Sequence, residues 1–331
     1  MKSRRNFLKQ IALGGASLSL PTGSASAEPQ SRDVGTDSFK RPSRKWPAFT
    51  TRPVILARKA VVTSGHYLAT MAGFRMLEKG GNAFDAAVAM GFACAVVEPQ
   101  WYGIGGEVAI LVYSAKEKKV WSISGQGPAP AEATIGWFRK QGLDAIPSVG
   151  LLPATVPAAT AAWLVLLERF GRLSLTDVLS PAIELAEQGY PAHSGCGVIG
   201  AALKTYPSTL GAFRPAGRAP EIGEIVQMPD WARTFKRLVD AAQAAGSREK
   251  GIRAAHNLFY KGDIARQLVD WVRGNAVKDS SGKEHHALLD HADLASYVAL
   301  VEEPVSASYR GYQVYKCGPW TQGPATSGSL C

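Results

Sequence analysis

The chain has 331 residues, 46% of them hydrophobic and 19% charged, with a formal net charge of +10. That length is ample for a large buried core in one big domain or two small ones. The basic excess is spread without a run or stripe of lysine and arginine, which argues against a nucleic-acid-binding protein, and the four cysteines are too few and scattered for a disulfide framework.

Residues 1–27 read as an export signal rather than as part of the fold. Ser3-Arg4-Arg5-Asn6-Phe7-Leu8-Lys9 has the twin-arginine pattern, and Ala25-Ser26-Ala27 supplies an A-x-A cleavage site. The apolar stretch between them is too short and broken to span a bilayer. Removing the segment takes away four basic and no acidic residues, which lowers the charge from +10 to +6. The reading implies a periplasmic or secreted product with no membrane span. Residues 28–53, rich in Ser, Pro, Arg and Asp without periodicity, predict a poorly ordered lead-in to a domain over 54–331.

Within that domain, residues 60–63 predict a short strand. Leu68, Met71, Ala72 and Met76 then mark the apolar face of a helix ended by Gly80. Asn82 is placed as an N-cap with Asp85 at the third helical position, a capping box opening an apolar helix over 83–97. Glu98-Pro99 stops it. Gly103-Ile104-Gly105-Gly106 follows a helix and opens a strand, the reverse of a phosphate loop, and no Walker lysine is present. Its glycines read as room for close backbone packing at a sharp turn.

Strands are predicted at 108–113 and 120–123, joined by a charged turn at 116–119. Helices follow at 155–169, at 174–188 (Ser174 as N-cap, Asp177 three residues on, Gly189 as stop), at 231–245 and at 262–273. Residues 205–230 predict a long surface connection, and 278–286 a polar loop. Strands close the chain at 298–302, 305–309 and 312–316. Antiparallel strands after packed helices give an α+β, layered helix–sheet architecture. His285, His286 and His291 lack carboxylate or cysteine partners on a defined helix face, so they read as solvent-exposed and no metal is expected. Cys94 reads as a small core residue, and none of Cys94, Cys196, Cys317 and Cys331 takes a catalytic role.

The words GGNAFDAAVA, VVEP, GIGGEVAILVY and GPAPAEAT resemble the gamma-glutamyltranspeptidase family. So do Pro153-Ala154-Thr155-Val156-Pro157, Phe259-Tyr260-Lys261-Gly262, Leu294-Ala295-Ser296-Tyr297 and Tyr309-Arg310-Gly311-Tyr312, in order and at similar spacing. The resemblance covers most of residues 54–324. It implies the N-terminal-nucleophile hydrolase fold, an αββα sandwich of two antiparallel sheets between helical layers, of which this chain is the large-subunit half. It also implies a precursor that cleaves itself, and a small subunit whose new N-terminal threonine attacks a gamma-glutamyl amide such as glutathione. No metal or organic cofactor is implied.

Two departures follow. Thr321 and Thr326 do not match the nucleophile, and the text after Gly323-Pro324 lacks an apolar helical pattern, so no catalytic residue is assigned here and a partner small subunit must bring it. The resemblance also implies an arginine, just before the APxxAT segment, that pairs with the glutamyl α-carboxylate. Gln126 stands at about that position. It is either a neutral substrate-binding residue or an ordinary turn residue. The departure raises an acylase of the same fold acting on cephalosporin, glutaryl or other amides. A truncated, non-catalytic periplasmic product or binding protein is the remaining alternative.

Overall fold

The computed structural model describes residues 55–196, 213 and 217–328. The export segment, the lead-in at 28–53, Cys331 and much of the connection at 205–230 lie outside them. Helix α1 (Tyr67–Glu78) is opened by His66, whose ring Nδ1 accepts from Leu68 N at 3.3 Å. Burial and the neighbouring His193 hold the His66 pKa below the ordinary value, against the opposing Glu98 charge, which keeps that nitrogen free to accept. Its buried face is Ala69, Ala72, Gly73 and Met76, whereas Met71 is exposed. The predicted face thus turns toward the small residues, because the next helix comes close: a Cβ on Gly73 would lie 2.6 Å from Met90 Cγ. The predicted strand at 60–63 does not form. Among the described residues no strand pairs with it, and an isolated extended segment has no ladder to hold it.

Helix α2 (Ala83–Val97) carries the capping box at Asn82 and Asp85. Asp85 is fully buried and accepts three backbone N–H groups: Asn82 at 2.7 Å, Arg172 at 2.9 Å and Leu173 at 3.0 Å. One carboxylate thus caps its own helix and fastens a distant turn to it. After Glu98 come strands β1 (Val108–Ser114) and β2 (Lys119–Gly125), paired antiparallel from Val108↔Gly125 to Ser114↔Lys119. Lys118, at φ 53°, makes the turn between them.

The helical middle comprises α3 (Ile135–Lys140), α4 (Ala159–Phe170) and α5 (Leu175–Gln188), the last with the predicted Ser174–Asp177 capping box and Gly189 at φ 90°. A ribbon of β3 (Tyr190–Pro191) and β4 (Ile225–Val226) falls partly in the predicted surface connection, whose described end also buries Met228. Then come α6 (Pro229–Ala244), α7 (Arg248–Tyr260) and α8 (Asp263–Gly274). Helix α7 has no counterpart in the sequence reading. Ser247 caps it, and Gly251 interrupts its pattern because Ala242 O would lie 2.6 Å from a Cβ there.

A ribbon of β5 (Val277–Lys278) and β6 (Glu284–His285) replaces the predicted loop at 278–286. Short α9 (His291–Ser296) leads to β7 (Val301–Glu302), which extends the main sheet to the order β1-β2-β7. Hairpin β8 (Val305–Tyr309) and β9 (Tyr312–Lys316) and a last helix α10 (Gly323–Gly328) follow. The sequence reading had no helix at α10, a six-residue turn of Gly, Pro, Ala, Thr and Ser without an apolar face. The main core lies where α2, α4, α5, α6 and α7 meet the inner side chains Ile110, Val112 and Ile123 of the sheet. The outer face of β1 is bare: Leu111 is 41% and Tyr113 60% exposed. No helix among the described residues is long and apolar enough to cross a membrane.

Candidate functional site at the open end of the sheet

Gln126 directly follows β2 and lines a cleft of about 430 Å³ with Glu107, Ala109, Trp320, Thr321 and Gln322. Its backbone is set by two glycines. A Cβ at Gly125 would lie 2.3 Å from Val108 O, and one at Gly127 only 1.8 Å from Val156 O. The peptide Gly125-Gln126-Gly127 therefore runs flush against both neighbours, and Val156 N donates to Pro128 O at 3.0 Å just beyond it. Glycine is required here for close approach.

The other wall begins at the glycine turn before β1. Gly106 O accepts from both Ala158 N and Ala159 N at 3.0 Å, and Thr160 Oγ1 donates to Ile104 O at 3.1 Å. The turn thereby serves as the N-terminal cap of α4, which has no side-chain cap of its own. Gly106 approaches Gly103 O, but Gly103 and Gly105 face open space, so close packing at the turn is confined to Gly106. Tyr260, wholly buried, braces the same end of α4: its hydroxyl accepts from Ala161 N at 3.0 Å and donates to Pro157 O at 2.8 Å. Burial raises its pKa, so it stays a neutral phenol.

The segment between β9 and α10 closes the cleft. Trp320 Nε1 donates to Glu302 Oε1, and Thr321 Oγ1 donates to Gly318 O at 2.9 Å while accepting from Gly323 N at 3.0 Å. Thr326 Oγ1 donates to Gln322 O at 3.3 Å. Both threonine hydroxyls hydrogen-bond local backbone groups. By contrast, the side chains of Glu107, Gln126 and Gln322 make no hydrogen bond or ion pair among the described residues. Glu107, Trp320 and Gln322 were not found from the sequence. The register could have pointed to Glu107, which lies one residue before the strand as Gln126 lies one residue after its partner.

The remaining predicted residues lie elsewhere. His285 Nδ1 pairs with Asp279 Oδ2 at 2.6 Å in the β5–β6 ribbon, which corrects the expectation that it lacks a carboxylate partner and is solvent-exposed. Burial alone would raise the Asp279 pKa, but hydrogen bonds from Ser281 and the His285 ring outweigh it and hold the carboxyl below its usual range. His286 is exposed, and His291 Nε2 stands 3.5 Å from Asp270. No group of three or more metal-ligating side chains converges among the described residues. Cys94 is half-buried rather than fully in the core, with its thiol pushed up to about 12 by burial and then by Glu98.

The Gamma-glutamyltranspeptidase family profile matches residues 69–330. The chain is 36% identical over 276 residues to the glutathione hydrolase-like YwrD proenzyme of Bacillus subtilis (strain 168), covering 81% of this chain and 47% of that protein. It is 33% identical over 292 residues to the acylase ACY 1 proenzyme of Pseudomonas sp. (strain SE83), covering 84% and 47%. Gamma-glutamyltranspeptidase of Helicobacter pylori superposes with a TM-score of 0.69 at 29% identity, over 82% of this chain and 73% of that one. The chain spans about half the length of the curated relatives it matches. Its α+β architecture is that of the N-terminal-nucleophile hydrolases, although its described strands make one three-stranded sheet and three two-stranded ribbons rather than two full stacked sheets. By profile, identity and fold together, the chain is a member of the gamma-glutamyltranspeptidase family.

Proposed function

We infer that this chain is the large-subunit part of an exported enzyme that transfers or hydrolyses an acyl group from an amide of the gamma-glutamyl type, glutathione among the candidates. The single observation that carries the reading is the cleft at Gln126, where three uncommitted polar side chains meet beside the bare outer face of β1. The reactive threonine comes from a small subunit that lies on that face. Leu111 and Tyr113 would otherwise leave apolar surface in water at the open edge of a sheet. The partner's threonine attacks the amide carbonyl with its own α-amine as base. The amine leaves, and water or an acceptor amine resolves the acyl ester. Gln126 holds the acyl group through its amide. The twin-arginine text of residues 1–27 supports export to the periplasm, which a signal–reporter fusion assayed in periplasmic and cytosolic fractions would test.

A second reading, an acylase of the same fold working on glutaryl, cephalosporin or other amides, is favoured by the name of the Pseudomonas relative. Coexpression with a threonine-led small subunit, followed by anilide release from gamma-glutamyl and glutaryl substrates, separates the two. Release of neither above a blank would defeat both.

A further inference from the structure

The lining of the Gln126 cleft specifies a charge. Val108↔Gly125 is the pair at the end of the β1–β2 ladder, so Glu107 and Gln126 are the first residues beyond it on the two strands. Both line the same cleft, as does Gln322 from the segment after β9. The carboxylate of Glu107 is its only formal charge among the described lining residues, which include no lysine, arginine or histidine. The two amides can each donate and accept. Lys316 lines the adjoining cleft of about 410 Å³, which shares Ala109, Thr321 and Gln322 with this one.

We propose that this cleft selects acyl donors that carry an ammonium group and does not select for an α-carboxylate. The ammonium sits on Glu107, and Gln126 and Gln322 hydrogen-bond the rest of the acyl head. The substrate class is then the ω-aminoacyl amides, in which an amine stands a few carbons from the amide carbonyl. This rests on the assignment of the cleft as the acyl-donor site. The physical reason is asymmetry. A cation there meets a free carboxylate, whereas a carboxylate there meets two neutral amides and the repulsion of Glu107.

Calorimetric titration of the full chain with three N-methylamides tests it: those of L-γ-glutamate, 4-aminobutyrate and butyrate. The first pair differs only by the α-carboxylate, and the second only by the ammonium. The expected result is that losing the carboxylate changes affinity by less than about twofold, while losing the ammonium weakens it by about tenfold or more. Glu107→Gln should abolish the second difference. Gln126→Arg should introduce a preference of about tenfold for the γ-glutamyl compound. Melting curves of both variants confirm that these exposed or half-exposed positions leave the fold intact. A wild-type preference of tenfold or more for the γ-glutamyl compound would overturn the proposal. So would indifference to the ammonium, or no binding of any of the three. Because binding does not require the threonine, failure here leaves the acyl-transfer reading to be judged separately by anilide release in the two-subunit assay.

Discussion

Gly127 and Val156 touch backbone to backbone: a Cβ on the glycine would stand 1.8 Å from the Val156 carbonyl oxygen. This contact, with the hydrogen bond from Val156 N to Pro128 O, fixes where Gln126 enters the cleft. Gly127→Ala should cost about 2 kcal/mol or more, because backbone rather than a flexible side chain must yield. Gly103→Ala, which meets open space, should stay within about 0.5 kcal/mol of the parent. Urea denaturation of the two variants checks the contrast.

Asp85 joins the start of α2 to the turn between α4 and α5. Asp85→Ala leaves the N–H groups of Arg172 and Leu173 without their acceptor in a buried setting. The expected loss is about 3 kcal/mol, with part recovered by Asp85→Asn, which keeps an acceptor oxygen. Equilibrium unfolding measures both.

The Tyr260 hydroxyl accepts from Ala161 and donates to Pro157 at the start of α4. Tyr260→Phe keeps the ring and removes both bonds, so it should cost about 2 kcal/mol. If the site is braced in this way, donor binding should weaken in parallel. Thermal melts and the same calorimetric titration report the two effects.

Much of this was legible in the sequence because local chemistry set it. Asn82, Asp85, Ser174 and Asp177 announced their helices through capping boxes, and Gly80 and Gly189 announced the stops. What stayed hidden depends on long-range contact. The face of α1 is chosen by Met90 packing onto Gly73, and α7 was obscured by Gly251, whose reason is a carbonyl on α6. The Asp279–His285 pair needed a ribbon that no alternating apolar pattern marks. At the site, Gln126 was visible through its place in a motif. Glu107 and Gln322 became visible only when strand register and the segment after β9 set them around one cleft.

The Asp279 carboxyl is held below its usual range in the folded state. Its contribution is therefore present above the unfolded value, about 3.9, and is lost as pH falls through the lower folded value. The stability difference between wild type and Asp279→Asn should shrink progressively as pH is lowered from about 5 to below 4. Melting temperatures of both proteins over that range give the curve.

Cys94, with its thiol raised to about 12 by burial and then by Glu98, stays protonated at pH 8. Iodoacetamide at that pH should leave it unmodified in the native protein and label it after denaturation. Glu98→Gln removes a raising charge and should increase the native labelling rate. Peptide mass mapping reads the site.

Which polypeptide carries the acyl group during turnover decides whether a partner subunit supplies the nucleophile. A coexpressed two-subunit preparation is mixed with L-γ-glutamyl and 4-aminobutyryl anilides, quenched in acid at early times and mapped by peptide mass. An acyl adduct should form on the N-terminal threonine of the partner and none on this chain. An adduct on Thr321 or Thr326, or anilide release by this chain alone at the rate of the pair, would contradict a partner-borne nucleophile.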